Sequence, residues 1–361
     1  MILDGQLPPS IATAAQALQR GDLLGLPTET VYGLAADAGN DAAVAKIFAA
    51  KGRPANHPLI VHVASAQGVQ RFASHVPAFA QKLIDAFWPG PLTLILPRRA
   101  EVAAAAAGGQ NSVGLRCPSH PTAHAVLQSA EALGVYGVAA PSANLFGRVS
   151  PTTASHVAGE FGPELLIVDG GACAVGIEST IVDCTRAAPV LLRPGALTPE
   201  QLSAACGVAV VTPYAPDADA PRASGTLASH YAPHAQVRLM TAAEIQEALR
   251  GLAVNAQTAK QDRTPTQAAP VGSGGAGEAS PAKPSIAIWA RSDTSIAPAQ
   301  SHQVALHAMP QDPAECAHHL FAQLRSFDAQ GVTQIWVETP PFTPAWDGVR
   351  DRLTRAATPA R

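Results

Sequence analysis

Eight short apolar runs between residues 23 and 195 constrain the fold most, because several of them follow one another without a helical pattern in between. Runs of this length, bounded by Gly, Pro, Asp and Ser, are typical of buried strands. They occupy residues 23–26, 59–63, 92–97, 113–118, 135–141, 165–171, 179–184 and 190–195. Helical patterns fit residues 10–20, 41–50, 77–87, 120–133 and 198–205. We therefore expect an α+β fold with a mixed sheet rather than a strictly alternating parallel one.

A second, smaller α/β domain is predicted from residue 236 to residue 361. Its strand-like runs alternate with helical patterns at about 312–329 and 345–357, which favours a small α/β layer. The runs occupy residues 236–240, 286–290, 302–307 and 334–340. The chain before it divides into a first domain over 1–206 and a linker over 207–235, where four prolines interrupt any regular period.

Residues 255–284 interrupt the second domain. Val271 is their one large apolar residue, so the segment cannot bury enough surface to offset its chain entropy and is predicted to be disordered. Gly272, Gly274 and Gly277 fit the GxGxxG pattern of dinucleotide sites. That pattern needs a strand before it and a helix after it, and neither is indicated here.

Composition excludes several classes of protein. A formal net charge of -3 over 361 residues argues against a large nucleic-acid-coating surface. The five cysteines are odd in number, far apart and without a CxxC pair, which fits reduced cytosolic thiols better than disulfides or a zinc site. No apolar run reaches about 18 residues, and no signal-peptide pattern opens the chain. We expect a cytoplasmic protein without a membrane span.

Hydroxyls, cations and imidazoles gather at the predicted strand ends. Thr28, Glu29 and Thr30 follow the first run and could bind a small polar ligand, or simply form a helix cap or turn. Lys51 and Arg53 could clamp a polyphosphate, or remain solvated surface cations. Residues 57 and 62, both His, bracket an apolar run, where a core histidine is more often a hydrogen-bonding residue than a ligand contact.

Further along, Ser112 and Arg116 stand four apart on one predicted strand and so point to one face. Burying Arg116 would be costly without an anionic partner, either an internal carboxylate or one on a ligand. Ser142 and Asn144 directly follow another strand, with Ser150 close behind, and suit phosphate oxygens or an ordinary turn. Polar residues also gather at 178–180 (Glu-Ser-Thr), and residue 193 (Arg) adds a cation beside a Pro-Gly turn.

The pattern also lacks several kinds of chemistry. The sequence contains no evident acid–base dyad, nucleophile elbow or metal cluster, and no G-x-x-x-x-G-K-[ST], so a site for ATP would not be a P-loop. His230 and His234 have helical spacing, but Pro233 between them argues against a helical metal pair. The polar residues therefore indicate binding and positioning.

Eight stretches appear together in the order found in one family. The chain resembles the long, two-domain form of threonylcarbamoyl-AMP synthase, built on the YrdC-type fold. The resemblance implies a twisted mixed sheet with helices forming a concave cavity, followed by a small Rossmann-like C-terminal domain. The matching stretches are PTETVYGLAADA (27–38), KGRP…HPLIVHV (51–63), WPGPLTLIL (88–96), VGLRCPSHP (113–121), APSANLFGRVSPT (140–152), VDGG…GIESTIVD (168–183), LLRPG (191–195) and SGTLASHYAPH (224–234).

Such enzymes combine L-threonine, bicarbonate and ATP with Mg²⁺, and release pyrophosphate and threonylcarbamoyl-adenylate. A separate machinery transfers the threonylcarbamoyl group to the adenosine beside the anticodon of ANN-decoding tRNAs. Once the amine of threonine has taken up carbon dioxide, the carbamate oxygen itself attacks the α-phosphorus. The protein then needs positioning and charge neutralisation more than a base, which agrees with the missing dyad.

The resemblance also implies roles for individual residues. The KxR…SxN signature corresponds to the predicted catalytic set Lys51, Arg53, Ser142 and Asn144. Threonine would be held by Thr30, His62, Arg116, the backbone at Ala140, and Ser179. ATP would be held by Arg53, His57, Ser112, Ser142, Ser150, Arg193 and Tyr231. His57 departs from the family, which commonly has Asn there. Residues 224–234 would fold over the cavity as a lid.

Two other functions fit parts of the pattern. A non-catalytic RNA-binding module is one, because YrdC-type folds have a locally positive concave face, and weak RNA binding would accompany it. The net charge of -3 and the lack of interleaved aromatic and basic residues count against it. Carbamoyl transfer in hydrogenase maturation is the other, but it brings CxxC pairs and an acylphosphatase region that this chain lacks.

Overall fold

The first domain is built on a ten-stranded mixed sheet. The structure, a computed structural model, describes residues 1–212, 220–227, 229–261, 284–296 and 303–359, with only the backbone for 253–261. The strands run in the order β1-β8-β2-β3-β7-β4-β6-β5-β9-β10. Their bounds are β1 Ile2–Asp4, β2 Leu24–Leu26, β3 Gly33–Asp37, β4 Ile60–His62, β5 Leu92–Pro97, β6 Ser112–Arg116, β7 Val138–Ala139, β8 Leu166–Asp169, β9 Thr180–Asp183 and β10 Val190–Arg193.

The pairing of these strands confirms the predicted mixed sheet. β4 and β6 are parallel, whereas β7 runs antiparallel to both of its neighbours, β3 and β4. The register of β4 and β6 sets His62 beside Arg116. Side chains alternate between the two faces of a strand, so Ile60 and His62 share one face. The pairing therefore brings residues from distant parts of the sequence to one side of the sheet.

Helices cover the sheet and fix the loops between the strands. Asn40 caps the second helix by accepting a hydrogen bond from the Ala43 N–H, and Gly52 ends it in the left-handed conformation at φ 60°. The turn at Gly52 separates Lys51, the last helical residue, from Arg53. The helices are α1 Pro8–Gln19, α2 Asp41–Lys51, α3 Val69–Phe72, α4 Ala78–Phe87, α5 Pro121–Ala132, α6 Ala154–Phe161 and α7 Pro199–Cys206.

The second domain is a parallel four-stranded sheet in the order β11-β14-β12-β13. This arrangement confirms the predicted α/β layer. Its strands are β11 Gln236–Met240, β12 Ile286–Ala290, β13 Val304–Ala308 and β14 Gln334–Glu338. Its helices are α8 Ala242–Gln261, α9 Pro313–Gln330 and α10 Asp347–Ala357.

Some elements differ from the sequence-based expectation. β1, β3 and α6 were not predicted, and neither was α8, which buries Ile245 and Leu249 on one face. α8 continues to Gln261 and so enters the segment 255–284, whose disorder stays a prediction; Ala, Gln and Lys in its first residues are good helix formers. Residues 262–283 lie outside the described part of the chain.

The two domains share a hydrophobic core. Val31, Val149 and Ile177 of the first domain cluster with Phe321 and Leu320 of α9. At Gly348 on α10 an added Cβ would lie 2.7 Å from the Gly195 carbonyl oxygen and 2.9 Å from Ile177. The close approach of α10 to the first domain thus depends on a residue without a side chain.

We expect Gly348→Ala to lower the free energy of unfolding by about 1–3 kcal/mol, because the added methyl group must push α10 away from the first domain. Gly251→Ala on α8 is the matched control, since nothing lies within 4 Å of its added Cβ. That control should be neutral or stabilise by up to about 1 kcal/mol. Urea unfolding of both variants measures the difference, and equal changes would show that the interface is not tightly packed at Gly348.

Candidate active site

One cavity collects most of the predicted site residues. Its volume is about 40 Å³, so its side chains leave little free space. Of the predicted residues, those that line it are Thr30, Arg53, His62, Arg116, Ala140, Ser142, Ser179, Arg193 and Tyr231. The set includes every residue predicted to hold threonine.

The buried charge of Arg116 is paired with a carboxylate inside the protein. Its Nη2 lies 2.7 Å from Glu29 Oε1. Its Nη1 donates to Thr30 Oγ1 at 2.8 Å and its Nε to the Gly90 carbonyl at 3.2 Å. A guanidinium has five N–H groups, so two remain for a ligand. Burial alone would raise the pKa of Glu29, but the charge and hydrogen bond of Arg116 outweigh it and lower the pKa.

His62 presents a neutral imidazole to the cavity. Burial, reinforced by the charge of Arg116, lowers its pKa to about 3. Within the described part of the chain its Nδ1 has no hydrogen-bond partner. An unpaired buried polar atom is costly, so a ligand group that pairs with Nδ1 would be favoured.

Two arginines of the cavity lining contact Ser224 of the predicted lid. Arg53 donates to the Ser224 hydroxyl at 3.3 Å, and Arg193 donates to its carbonyl at 2.8 Å. Arg193 also holds the Ser179 carbonyl, with Nε at 3.1 Å. Among the described residues, neither arginine forms a salt bridge. Burial lowers the pKa of Arg53 to about 10, so both groups are cations that lack a carboxylate and suit an anionic ligand.

Lys51 and Asn144 lie behind the cavity wall. The Lys51 ammonium donates to the backbone carbonyls of Ser142, at 2.6 Å, and of Asn144. The Asn144 amide donates to the carbonyls of Leu145 and Arg148. Burial, followed by the charge of Arg53, lowers the pKa of Lys51 to about 7. The two residues brace the loop after β7, and their predicted contact with phosphates stays a prediction.

Three other predicted residues also lie outside the cavity lining. His57 is half-buried, with its ring 5.5 Å from that of Phe146. Ser112 lines a neighbouring pocket that shares Ile60 and Ser224 with this one. Ser150 is fully buried and donates its hydroxyl to Glu178, which does line the cavity. Their contacts with ATP remain predictions.

Glu178 is the main lining residue missing from the predicted site. Sequence reasoning noted it in the stretch GIEST without a role. Burial would raise its pKa, but Arg352 of α10 and then Arg193 outweigh that effect and lower it. Arg352 donates to Glu178 Oε2 at 2.9 Å. A charged residue inside an apolar and hydroxyl-rich stretch was the signal that could have identified it.

The predicted lid lies against the cavity. Ser224, Gly225, His230 and Tyr231 all line it. The Ser224 hydroxyl donates to the Pro58 carbonyl at 2.7 Å. Tyr231 has a φ of 62°, which is uncommon for a residue with a side chain, and its hydroxyl is buried without a hydrogen-bond partner among the described residues. The segment thus closes one wall of the cavity.

Comparisons with known proteins place this site in a family. Residues 16–195 match the model for Sua5, YciO and YrdC proteins, described as "Telomere recombination". Residues 197–358 match the model "Threonylcarbamoyl-AMP synthase, C-terminal domain". The threonylcarbamoyl-AMP synthase of Schizosaccharomyces pombe is 33% identical over 98% of this chain and 90% of its own length. The chain belongs to the threonylcarbamoyl-AMP synthase family.

Other similar proteins carry the same family name. The threonylcarbamoyl-AMP synthase of Pyrococcus abyssi is 44% identical over 63% of this chain, and that of Bacillus subtilis 42% over 64%. Each of these alignments covers 66% of the relative's own length. The crystal structure of P. abyssi Sua5 complexed with L-threonine has a TM-score of 0.78 at 33% identity, over 96% of this chain and 94% of the other.

Two features are absent from the described residues. No helix there is long and apolar enough to cross a membrane. No group of three or more His, Cys, Asp or Glu side chains there is placed to hold a metal ion.

Acid should destabilise the protein because two histidines are buried neutral. Burial lowers the pKa values of His62 and His230 to about 3, whereas an unfolded His titrates near 6.5. The unfolded state thus binds more protons as pH falls below 6.5, and stability falls with it. Each histidine should cost about 2 kcal/mol between pH 7 and pH 5.

We therefore expect His230→Gln to lose about 2 kcal/mol less than the unaltered chain over that pH range. His75→Gln, at an exposed site, is the control and should leave the acid sensitivity unchanged. Urea unfolding at pH 7 and pH 5 measures both. Equal acid sensitivity of all three proteins would show that His230 is not held neutral.

Proposed function

We propose that this chain joins L-threonine, bicarbonate and ATP into threonylcarbamoyl-adenylate and releases pyrophosphate and water. The observation that carries the proposal is that two sets of polar side chains line one cavity. A guanidinium with hydroxyls suits a small amino acid and would form an amino-acid end, and two arginines, without carboxylate partners among the described residues, suit phosphates and would form a nucleotide end. The names of the relatives and the threonine in the P. abyssi structure support it.

At the amino-acid end, the substrate carboxylate would meet the free N–H groups of Arg116. The guanidinium is held in place by Glu29, Thr30 and the Gly90 carbonyl, so little side-chain entropy would be lost on binding. Nearby, the Ser179 hydroxyl shares a hydrogen bond with Thr93 Oγ1 at 2.7 Å. These fixed hydroxyls offer partners for the threonine hydroxyl.

At the other end, Arg53 and Arg193 would neutralise the phosphates of ATP. Their charges are buried, and electrostatic interactions are stronger there than in water. Mg²⁺ would enter on ATP, with most of its ligands from phosphate oxygens and water. When bound, it would supply further positive charge to the phosphates.

The reaction then needs no protein nucleophile. The ammonium group of threonine loses a proton to solvent, and its amine takes up the carbon dioxide that bicarbonate supplies, with release of water. A carbamate oxygen attacks the α-phosphorus, and the bond to pyrophosphate breaks. Holding the two substrates in line is the main task of the site, and a closed cavity keeps water from the labile product.

We further propose that ligand exchange requires the predicted lid, residues 224–234, to move. A cavity of about 40 Å³ is too small for either substrate. The product would pass to the tRNA threonylcarbamoyl-transfer machinery of the cytoplasm. The names of the relatives favour the synthase over the RNA-binding alternative.

Pyrophosphate release tests this function. We expect release from the full chain to require ATP, threonine and bicarbonate together, with alanine much poorer than threonine. Equal turnover with alanine would contradict a threonine site. Release with ATP alone would indicate hydrolysis of ATP to AMP and pyrophosphate.

The Arg116→Lys variant tests the threonine-binding role of Arg116 in the same assay. Because lysine cannot present two parallel N–H groups, the threonine KM should rise about tenfold, or about 1.4 kcal/mol, while the ATP KM stays nearly unchanged. Arg20→Lys, at an exposed ion pair with Asp22, is the control and should change neither. An unchanged threonine KM in Arg116→Lys would make Arg116 a purely structural partner of Glu29.

A further inference from the structure

The second domain reaches the cavity of the first through Arg352 of α10. We propose that Arg352 is a positioning residue, which holds the wall at the nucleotide end of the cavity by binding Glu178, and through it Ser150, together with the Pro194 carbonyl. This inference rests on the proposed function and gives the second domain a part in it.

The contacts of Arg352 carry the proposal. Its side chain has no exposed surface. Nε donates to Glu178 Oε2 at 2.9 Å, and Nη2 donates to the Glu178 carbonyl at 3.1 Å. Nη1 donates to the Pro194 carbonyl at 2.6 Å. Since a guanidinium is planar and rigid, one side chain fixes the separation of the segments after β8 and β10.

These segments belong to the nucleotide end of the cavity. Pro194 follows Arg193, one of the two arginines without a carboxylate partner. Glu178 accepts the Ser150 hydroxyl with the oxygen that Arg352 leaves free. A shift of either segment would therefore move Arg193 or release Ser150. Displacements of about 1 Å can reduce a rate about a hundredfold.

α10 also holds the lid. The Arg352 guanidinium lies 5.5 Å from the centre of the Tyr231 ring. Asp351 accepts from both Arg352 and Arg355. Arg355 donates to the Leu227 carbonyl, and its own carbonyl accepts from the His230 N–H at 3.3 Å. One helix of the second domain thus contacts three segments that meet at the cavity.

The charge of Glu178 depends on this arrangement. Burial favours its neutral form, and Arg352 is the strongest of the charges that oppose burial. Without Arg352 the pKa of Glu178 would rise, because its burial would then be opposed mainly by Arg193 and the Ser150 hydrogen bond, and a protonated carboxyl could no longer accept from Ser150 in the same way. The ionisable groups around it are Arg352 and Asp351 of α10, Arg193 of β10, Lys51 of α2, and His230 and Tyr231 of the lid.

The threonine end should be affected less. Across the described residues, no hydrogen bond or ion pair joins Arg352 to Thr30, His62 or Arg116, and its one link to the threonine set is the Glu178 carbonyl, in the peptide bond before Ser179. A positioning role therefore predicts an effect on ATP that is larger than the effect on threonine. A residue that only ties the domains together would lower stability without this difference.

The test compares Arg352→Met and Arg352→Lys in the full chain. Arg350→Met is the matched control, because Arg350 lies on the same helix, is partly exposed, and binds only Asp347, the Pro341 carbonyl and the Phe342 ring. We measure pyrophosphate release against ATP and threonine from pH 6 to pH 9, below the unfolding temperature of each variant.

We expect Arg352→Met to raise the ATP KM at least about tenfold at pH 7, with a several-fold smaller change for threonine. The defect should shrink as pH rises, since Glu178 ionises again above its raised pKa. Arg352→Lys keeps the charge but not the fork, so it should show a smaller defect without that pH dependence. In Glu178→Gln combined with Arg352→Met the ATP defect should persist, but its pH dependence should vanish.

Other results would overturn the proposal. If Arg352→Met unfolds more easily but keeps the kinetics of the unaltered chain, Arg352 is only structural. If Arg352→Met does not fold, Arg352→Lys decides, and normal ATP kinetics there would reject the role. If the unaltered chain releases no pyrophosphate, the proposed function fails instead, and calorimetric ATP binding by the same variants still tests the positioning: equal affinities would refute it.

Discussion

Pairing of buried charge is the constraint on which the rest of this structure depends. Arg352 and Glu178 are almost completely removed from water, and leaving either one unpaired would cost about 3–5 kcal/mol. The two residues come from different domains, so each domain satisfies a charge that the other has buried. The cavity lies against this boundary. The geometry of the cavity therefore depends on how the two domains pack together.

The same principle explains the chemistry of the cavity. Arg116 is paired with Glu29 and can bind a small carboxylate. Within the described residues, Arg53 and Arg193 donate hydrogen bonds only to carbonyl and hydroxyl oxygens, so they can bind a highly charged ligand. Because the proposed reaction uses the substrate's own carbamate as nucleophile, the site can work with fixed donors and cations alone. Its selectivity would then come from where charge is paired and where it is not.

The sequence predicted the architecture well where apolar runs were long, as at Leu92–Pro97, but missed β3, whose GLAAD carries a single large apolar residue. The family motifs pointed to Thr30, His62 and Arg116, and these three residues line one cavity. Lys51 looked like a loop cation, yet its partners are carbonyls that lie more than 90 residues away. Glu178 could not be assigned because its partner is 174 residues distant. Spacing along the chain cannot reveal such pairs.

The proposed function requires threonine and ATP to bind together in one cavity. Calorimetric titration with a stable, unreactive analogue of threonylcarbamoyl-adenylate tests it most directly. The analogue should bind one per chain, and the saturated protein should then bind neither ATP nor threonine. If the saturated protein still binds either substrate with undiminished affinity, the two substrates do not share this cavity and the account is wrong.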